Sequence, residues 1–106
     1  MKKKRYKIAK LEKERFSIIT DDLEHCYLCG GIKNHLHEVF YGSNRVNSMK
    51  YGCVIPLCSS CHAKIHQDIE LDLGVKKLLE SAFLGVYECD IDFFIKIFHF
   101  NYIKKS

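Results

Sequence analysis

The sequence holds one proline in 106 residues and has no repeats, no low-complexity tract and no Gly/Ser-rich linker. Nothing in it marks a domain boundary, and the length is that of a single domain, 1–106. No apolar run approaches the roughly 20 residues that a membrane helix requires. The basic N-terminus is followed by neither a long apolar segment nor a small-residue cleavage site, so no signal peptide and a cytoplasmic setting are expected. In that reducing setting six cysteines are not expected to form a disulfide scaffold. Paired C-x2-C motifs there bind zinc more often. A chain this short also buries a modest share of its surface and gains from a metal staple.

The net charge of +4 is unevenly spread. Residues 1–15, "MKKKRYKIAKLEKER", carry eight Lys/Arg and two Glu, whereas the rest of the chain carries nine Lys/Arg and eleven Asp/Glu. The excess therefore belongs to a basic arm, 1–14, that includes Lys2, Lys3, Lys4 and Arg5. Such an arm suits a nucleic-acid phosphate backbone, or serves as a solubilising terminus.

"RFSIIT" (15–20) reads as a short strand or turn, "HLHEVF" (35–40) as an alternating strand and "CVIPLC" (53–58) as a second strand, with Pro56 at its edge or end. "YGSNRVNSMKYG" (41–52), polar and with glycine near both ends, is expected to be a loop. A helix is expected from Ser59 or Ser60, either of which could cap it, to about Gln67. A second helix follows with Leu71, Val75, Leu78, Leu79 and Ala82 on one stripe and Gly85 as a stop. A third starts near Asp90 or Asp92, with Ile91, Phe94, Ile95 and Phe98 on one stripe and Phe93, Ile97 and Phe100 on another. Core packing is the expected use of those aromatics. The fold class is α+β.

Cys26, Cys29, Cys58 and Cys61 form C-x2-C…C-x2-C. A two-residue gap lets one turn present two sulfurs to one ion, and four thiolates hold zinc in a tetrahedron. "CYLCGG" (26–31) has the form of one such knuckle. The stretch 30–57 is long enough for a hairpin between the two pairs. Cys53 and Cys89 lack this spacing and are expected to be buried apolar residues.

Four thiolates leave His62 and His66 without an owner. At i and i+4 they share one helix face, a spacing suited to two imidazole ligands of one ion. The third ligand would come from "HLHEVF". The alternatives are that one histidine replaces a cysteine at the zinc, or that both are surface residues.

The segments "CYLCG", "LHEVF" and "CVIPLCSSCHAKIH" together resemble the HNH endonucleases, the ββα-metal nucleases. More narrowly, "HEVFYGSNRVNSMKYGCVIPLC" is similar to small phage-type HNH proteins. The resemblance covers residues 15–68, the zinc-knuckle and ββα core; residues 69–106 form a helical extension without a motif of their own.

The resemblance implies hydrolysis of DNA phosphodiesters, in duplex DNA, with one divalent metal such as Mg2+, Mn2+ or Ni2+ beside the structural Zn2+. It implies His37, His62 and His66 as ligands of the catalytic metal, Glu38 as general base and Asn44 (or Asn47) as its support. In the other register His37 is the base and His35 helps hold the metal. Two positions depart from the family. Glu38 stands where a histidine is usual, and Cys53 stands where an asparagine is usual. Arg45 and Lys50 would contact phosphates or remain solvated loop charges. The implied setting is a bacterial or phage-infected cell, with a phage or host protein as a further partner. The competing expectations are a non-catalytic zinc module that binds nucleic acid through its basic arm, and an interaction domain that uses the aromatic C-terminal helix.

Overall fold

A computed structural model of the chain describes residues 2–103, and the side chains of residues 8–103. Two antiparallel strands, β1 (His35–Glu38) and β2 (Val54–Leu57), form its only sheet among the described residues. His35 pairs with Leu57, Leu36 with Pro56, His37 with Ile55 and Glu38 with Val54. The ladder extends at both ends through Asn34 N–H to Leu57 O and Val39 N–H to Cys53 O, each 2.9 Å. β2 is buried throughout, whereas β1 exposes His35 and buries His37. Alternation along β1 thus turns the two histidines toward one side, one of them at the surface and one inside. Pro56 sits within β2, where its missing N–H costs no bond because only one strand flanks it, and its carbonyl accepts from Tyr27 N–H at 2.8 Å.

Among the described residues five α-helices surround this pair: α1 (Lys2–Lys13), α2 (Arg45–Tyr51), α3 (Ser59–Gln67), α4 (Ile69–Val86) and α5 (Ile91–Phe98). None is long and apolar enough to cross a membrane among the described residues. The basic arm is helical and packs on α2, while the side chains of Lys2, Lys3, Lys4 and Arg5 lie outside the described residues. Residues 15–20 form no strand and bend at Ile18 and Ile19, and Ile18 N–H donates to Gly52 O at 2.9 Å.

The expected loop 41–52 is instead a 3-10 turn, Gly42–Asn44, that runs into α2. Polar residues hold this helix from outside. Ser48 Oγ, fully buried, accepts from Phe40 N–H and donates to Phe40 O. Gly52 ends α2 at φ 77°, and a Cβ there would run into the Phe16 ring, so only glycine closes this turn.

The cap of α3 is neither Ser59 nor Ser60 but Cys58, whose Sγ accepts from Cys61 N–H at 3.4 Å. Asp68 then ends α3 and caps α4 through Leu71 N–H at 3.1 Å, so the two helices meet at one residue. α4 continues through Gly85. Its buried line is Val75, Leu79 and Phe83 with Leu71 partly buried, and Leu78 is exposed. The apolar stripe follows i, i+4, i+8, i+12 and leaves Leu78 on the flank. Asp90 caps α5 through Phe93 N–H at 3.0 Å. Phe94 and Phe98 are buried, while Phe93, Ile95 and Phe100 are exposed, so one aromatic line of the two fills the core.

That core joins the extension to the strands. Phe40, just past β1, meets Phe94 at 5.3 Å and Phe98 at 4.6 Å between ring centroids. Each such ring contributes about 1.5–3 kcal/mol by burial. The end of β1 is therefore fixed by α4 and α5.

Candidate metal centres

The first knuckle is a tight turn. Cys26 N–H donates to Gly31 O at 2.6 Å, and Gly30 N–H donates to Cys26 O at 2.8 Å. The bond from Tyr27 N–H to Pro56 O docks this turn beside the end of β2, where Cys58 and Cys61 open α3. The sulfurs of Cys26, Cys29, Cys58 and Cys61 all lie within 4.8 Å of one another. Cys29 Sγ and Cys58 Sγ are 3.7 Å apart. A zinc tetrahedron with Zn–S bonds of about 2.3 Å has S···S edges of about 3.8 Å, so the four-cysteine cluster fits a structural Zn2+.

Electrostatics agree. Burial works against a thiolate at Cys26, but the backbone N–H groups of Cys58, Cys29 and Leu28 outweigh it and bring the pKa down to about 6. Cys61 is pushed up to about 12, by burial first and then by the neighbouring sulfurs. One thiolate forms readily and resists the formation of others, a conflict that a dication resolves. Cys53, buried away from this cluster, is pushed up to about 12 by burial alone and serves as core, and Cys89 is partly buried.

The second cluster joins His37 of β1 to His62 and His66 of α3, with one ring nitrogen from each within 4.8 Å of the others. The Nε2 atoms of His62 and His66 are 3.3 Å apart, near the N···N edge of about 3.0–3.4 Å that bonds of about 2.1 Å to one ion produce. His37 Nε2 is buried without a hydrogen-bond partner. Burial and then the neighbouring His62 and His66 lower the His37 pKa to about 4. Burial, then His35 and His66, also lower that of His62. Both shifts favour the neutral form of His37 and His62, the form that ligates metals. An orphaned buried nitrogen turned toward two further imidazoles fits a divalent cation, and His37 groups in space with His62 and His66. His35 stands apart from the three. Its ring stacks on His62 at 4.5 Å, and it makes no hydrogen bond among the described residues.

The histidines lie in an open depression of about 430 Å³ that Arg15, His35, Glu38 and Tyr41 also line. Glu38 is nearly buried there, between two guanidinium groups. Its Oε1 accepts from Arg45 Nε at 2.7 Å and its Oε2 faces Arg15 Nε at 3.2 Å. Glu12 of α1 pairs with Arg45 and lies 3.7 Å from Arg15. Arg45 is thus held by two carboxylates, and they raise its pKa further.

Asn44 and Asn47 face elsewhere. Asn44 Nδ2 donates to Phe98 O at 3.0 Å and Asn47 Nδ2 to Ile97 O at 3.1 Å, so both close the C-terminal end of α5. Asn44 is not among the residues that line the depression. Lys50 is exposed, with Nζ 5.6 Å from the Tyr51 ring centroid.

Sequence reasoning missed four residues around the histidines: Arg15, Tyr41, Asp72 and Lys76. Asp72 and Lys76 form an i,i+4 pair on α4, with Lys76 Nζ and Asp72 Oδ2 2.9 Å apart, a spacing visible in the sequence but usually only a solvated pair. Nothing in the sequence ties them to Tyr41.

Two antiparallel strands followed by helices, a four-cysteine cluster and a histidine triad therefore define this small α+β domain, and no family model, curated protein or solved structure matches the chain.

Proposed function

We propose that the protein is a metal-dependent endonuclease of the HNH type that hydrolyses phosphodiester bonds in DNA. One observation carries this reading: His37 of β1 converges with His62 and His66 of α3, and its buried Nε2 has no protein partner. A strand pair followed by a helix, with imidazoles from both turned to one point in an open depression, is the arrangement expected of a ββα-metal site. A divalent ion there would stabilise charge developing on the scissile phosphate.

The chain's own residues divide the remaining work. His37, His62 and His66 hold the ion. A proton acceptor for the attacking water must have a free lone pair at the depression. Glu38 Oε1 accepts from Arg45, and its Oε2, though without a hydrogen bond, is buried 3.2 Å from Arg15 Nε, so both oxygens face guanidinium groups, whereas the His35 ring is exposed, stacked on His62 and without a hydrogen bond among the described residues. We assign the base to His35 and make Glu38 the anchor that holds Arg15 and Arg45 at the rim. The basic helix α1 supplies non-specific attraction to the DNA backbone.

Incubation of supercoiled plasmid with the zinc-loaded protein and Mg2+, Mn2+ or Ni2+ tests this. Nicked or linear product is expected from the parent and none from His66→Ala, which keeps its zinc. The second reading, a non-catalytic nucleic-acid-binding zinc module, is favoured by the pairing of Glu38 and the remoteness of Asn44. DNA binding without cleavage in any of the three metals would establish it.

A further inference from the structure

The helical extension, which has no motif of its own, meets Tyr41 at the edge of the histidine cluster through Asp72 and Lys76. Tyr41 follows β1 and leans on two of the three histidines. Its ring centroid lies 5.7 Å from that of His66, at 61°, and 6.0 Å from that of His37, at 45°. Its hydroxyl donates to Asp72 Oδ2 at 2.9 Å and accepts from Lys76 Nζ at 3.4 Å. Lys76 also lies 4.4 Å from the centroid of the Tyr41 ring.

The pair that holds the hydroxyl is no ordinary surface ion pair. The Asp72 and Lys76 side chains are only 14% and 15% exposed, and Asp72 Oδ1 is buried without a hydrogen-bond partner. Burying two opposite charges costs desolvation that their attraction only partly offsets. Yet α4 turns both toward a tyrosine that is itself 43% exposed and borders the metal depression. His66 is exposed on α3, so apart from its neighbours in the cluster the Tyr41 ring is the aromatic contact that restrains its imidazole.

We infer that Tyr41 is a positioning residue for the histidine metal site, anchored by Asp72 and Lys76 so that its ring sets the orientation of His66 and His37. The inference rests on the reading of the three histidines as a metal site. It gives the extension a role: α4 is an outer support of that site. Groups that orient metal ligands from behind typically contribute about 10–100-fold to metal affinity. Tyr41 acts through ring contacts rather than a bond to the ligand, so the lower end, about tenfold, is expected.

The experiment is a Co2+ titration of zinc-loaded protein, read from visible d–d bands. Thiolate-to-cobalt charge transfer would reveal any Co2+ that had displaced zinc from the cysteines. The parent is expected to bind one further Co2+. Tyr41→Phe keeps the ring and the Asp72–Lys76 pair but removes the hydroxyl that anchors the ring, and should weaken that binding about tenfold with zinc content and unfolding midpoint unchanged. Tyr41→Phe combined with Asp72→Asn should be no weaker than Tyr41→Phe alone, because both changes act through one anchor. Parent-like affinity and bands in Tyr41→Phe would overturn the inference while leaving the metal site standing. A parent that binds no second ion would overturn the metal site itself, and this inference with it.

Discussion

Replacement of Glu38 by glutamine separates the two roles that this residue can have. Its side chain is 10% exposed, and its oxygens lie 2.7 Å from Arg45 Nε and 3.2 Å from Arg15 Nε. Removing one partner of a fully buried ion pair costs about 3–5 kcal/mol, and an exposed pair contributes about 0–1 kcal/mol. Arg15 is 20% exposed and Arg45 37%, and Arg45 keeps Glu12, so the cost falls between these limits. Glutamine retains one acceptor oxygen, and about 2 kcal/mol is the expected loss. In a urea titration of zinc-loaded protein that is a fall of about 1 M in midpoint at unchanged slope. A cycle with Arg15→Met should give a coupling of about 1 kcal/mol, and high salt should diminish it. Measured well below its melting range, Glu38→Gln should cut plasmid with far less than the loss of about 10²–10⁴-fold that removal of a general base causes. His35→Gln should show that loss instead. A Glu38→Gln protein as stable as the parent and unable to cut would refute this reasoning and return the base to Glu38.

Three further outcomes are expected. Cys58→Ser removes a zinc ligand and the cap of α3, and should yield zinc-free, largely unfolded protein by metal analysis and circular dichroism. Structural zinc supplies about 10–16 kcal/mol, which exceeds or matches the whole stability of a domain. The pKa of His37 is lowered from 6.5 to about 4 on folding, so its contribution is complete above pH 6.5 and is lost as pH falls toward 4. With one zinc per chain and no further metal, the parent should lose about 1 kcal/mol more than His37→Gln between pH 8 and pH 5.5, in paired urea titrations. Deletion of residues 2–7 should weaken DNA binding and flatten its salt dependence by roughly one unit of slope for each phosphate contact removed; an unchanged slope would make α1 a solubilising helix.

Features that depend on short-range spacing were legible in the sequence. The C-x2-C pairs and the i,i+4 histidines read directly because one turn or one helix face presents them, whatever lies around them. The span of α3 and the Asp90 cap of α5 read for the same reason. The helix α2 did not, because its seven residues carry no apolar stripe and are held by partners far along the chain, Asn47 by Ile97 O and Ser48 by Phe40. Leu78, on the expected stripe, is exposed, and Phe83, outside that stripe, is buried, because the buried line of α4 advances by four residues at each step and only the packed partners decide which flank is covered. The surroundings of Glu38 could not be foreseen: Arg15 and Arg45 lie 23 and 7 positions away, and nothing local marks either as its partner.

Cys61 and His62 are neighbours in the sequence but serve different clusters on one helix. Adjacent residues on an α-helix project about 100° apart, so the two clusters can coexist only while α3 is wound and its start is pinned by Cys58 and Cys61. This imposes an order of assembly. If both clusters take ions, a newly made chain without zinc would lack the pinned start of α3 on which His62 pairs with His66, and would gather the second ion only afterwards. Zinc supply would then act as an interlock on the histidine cluster.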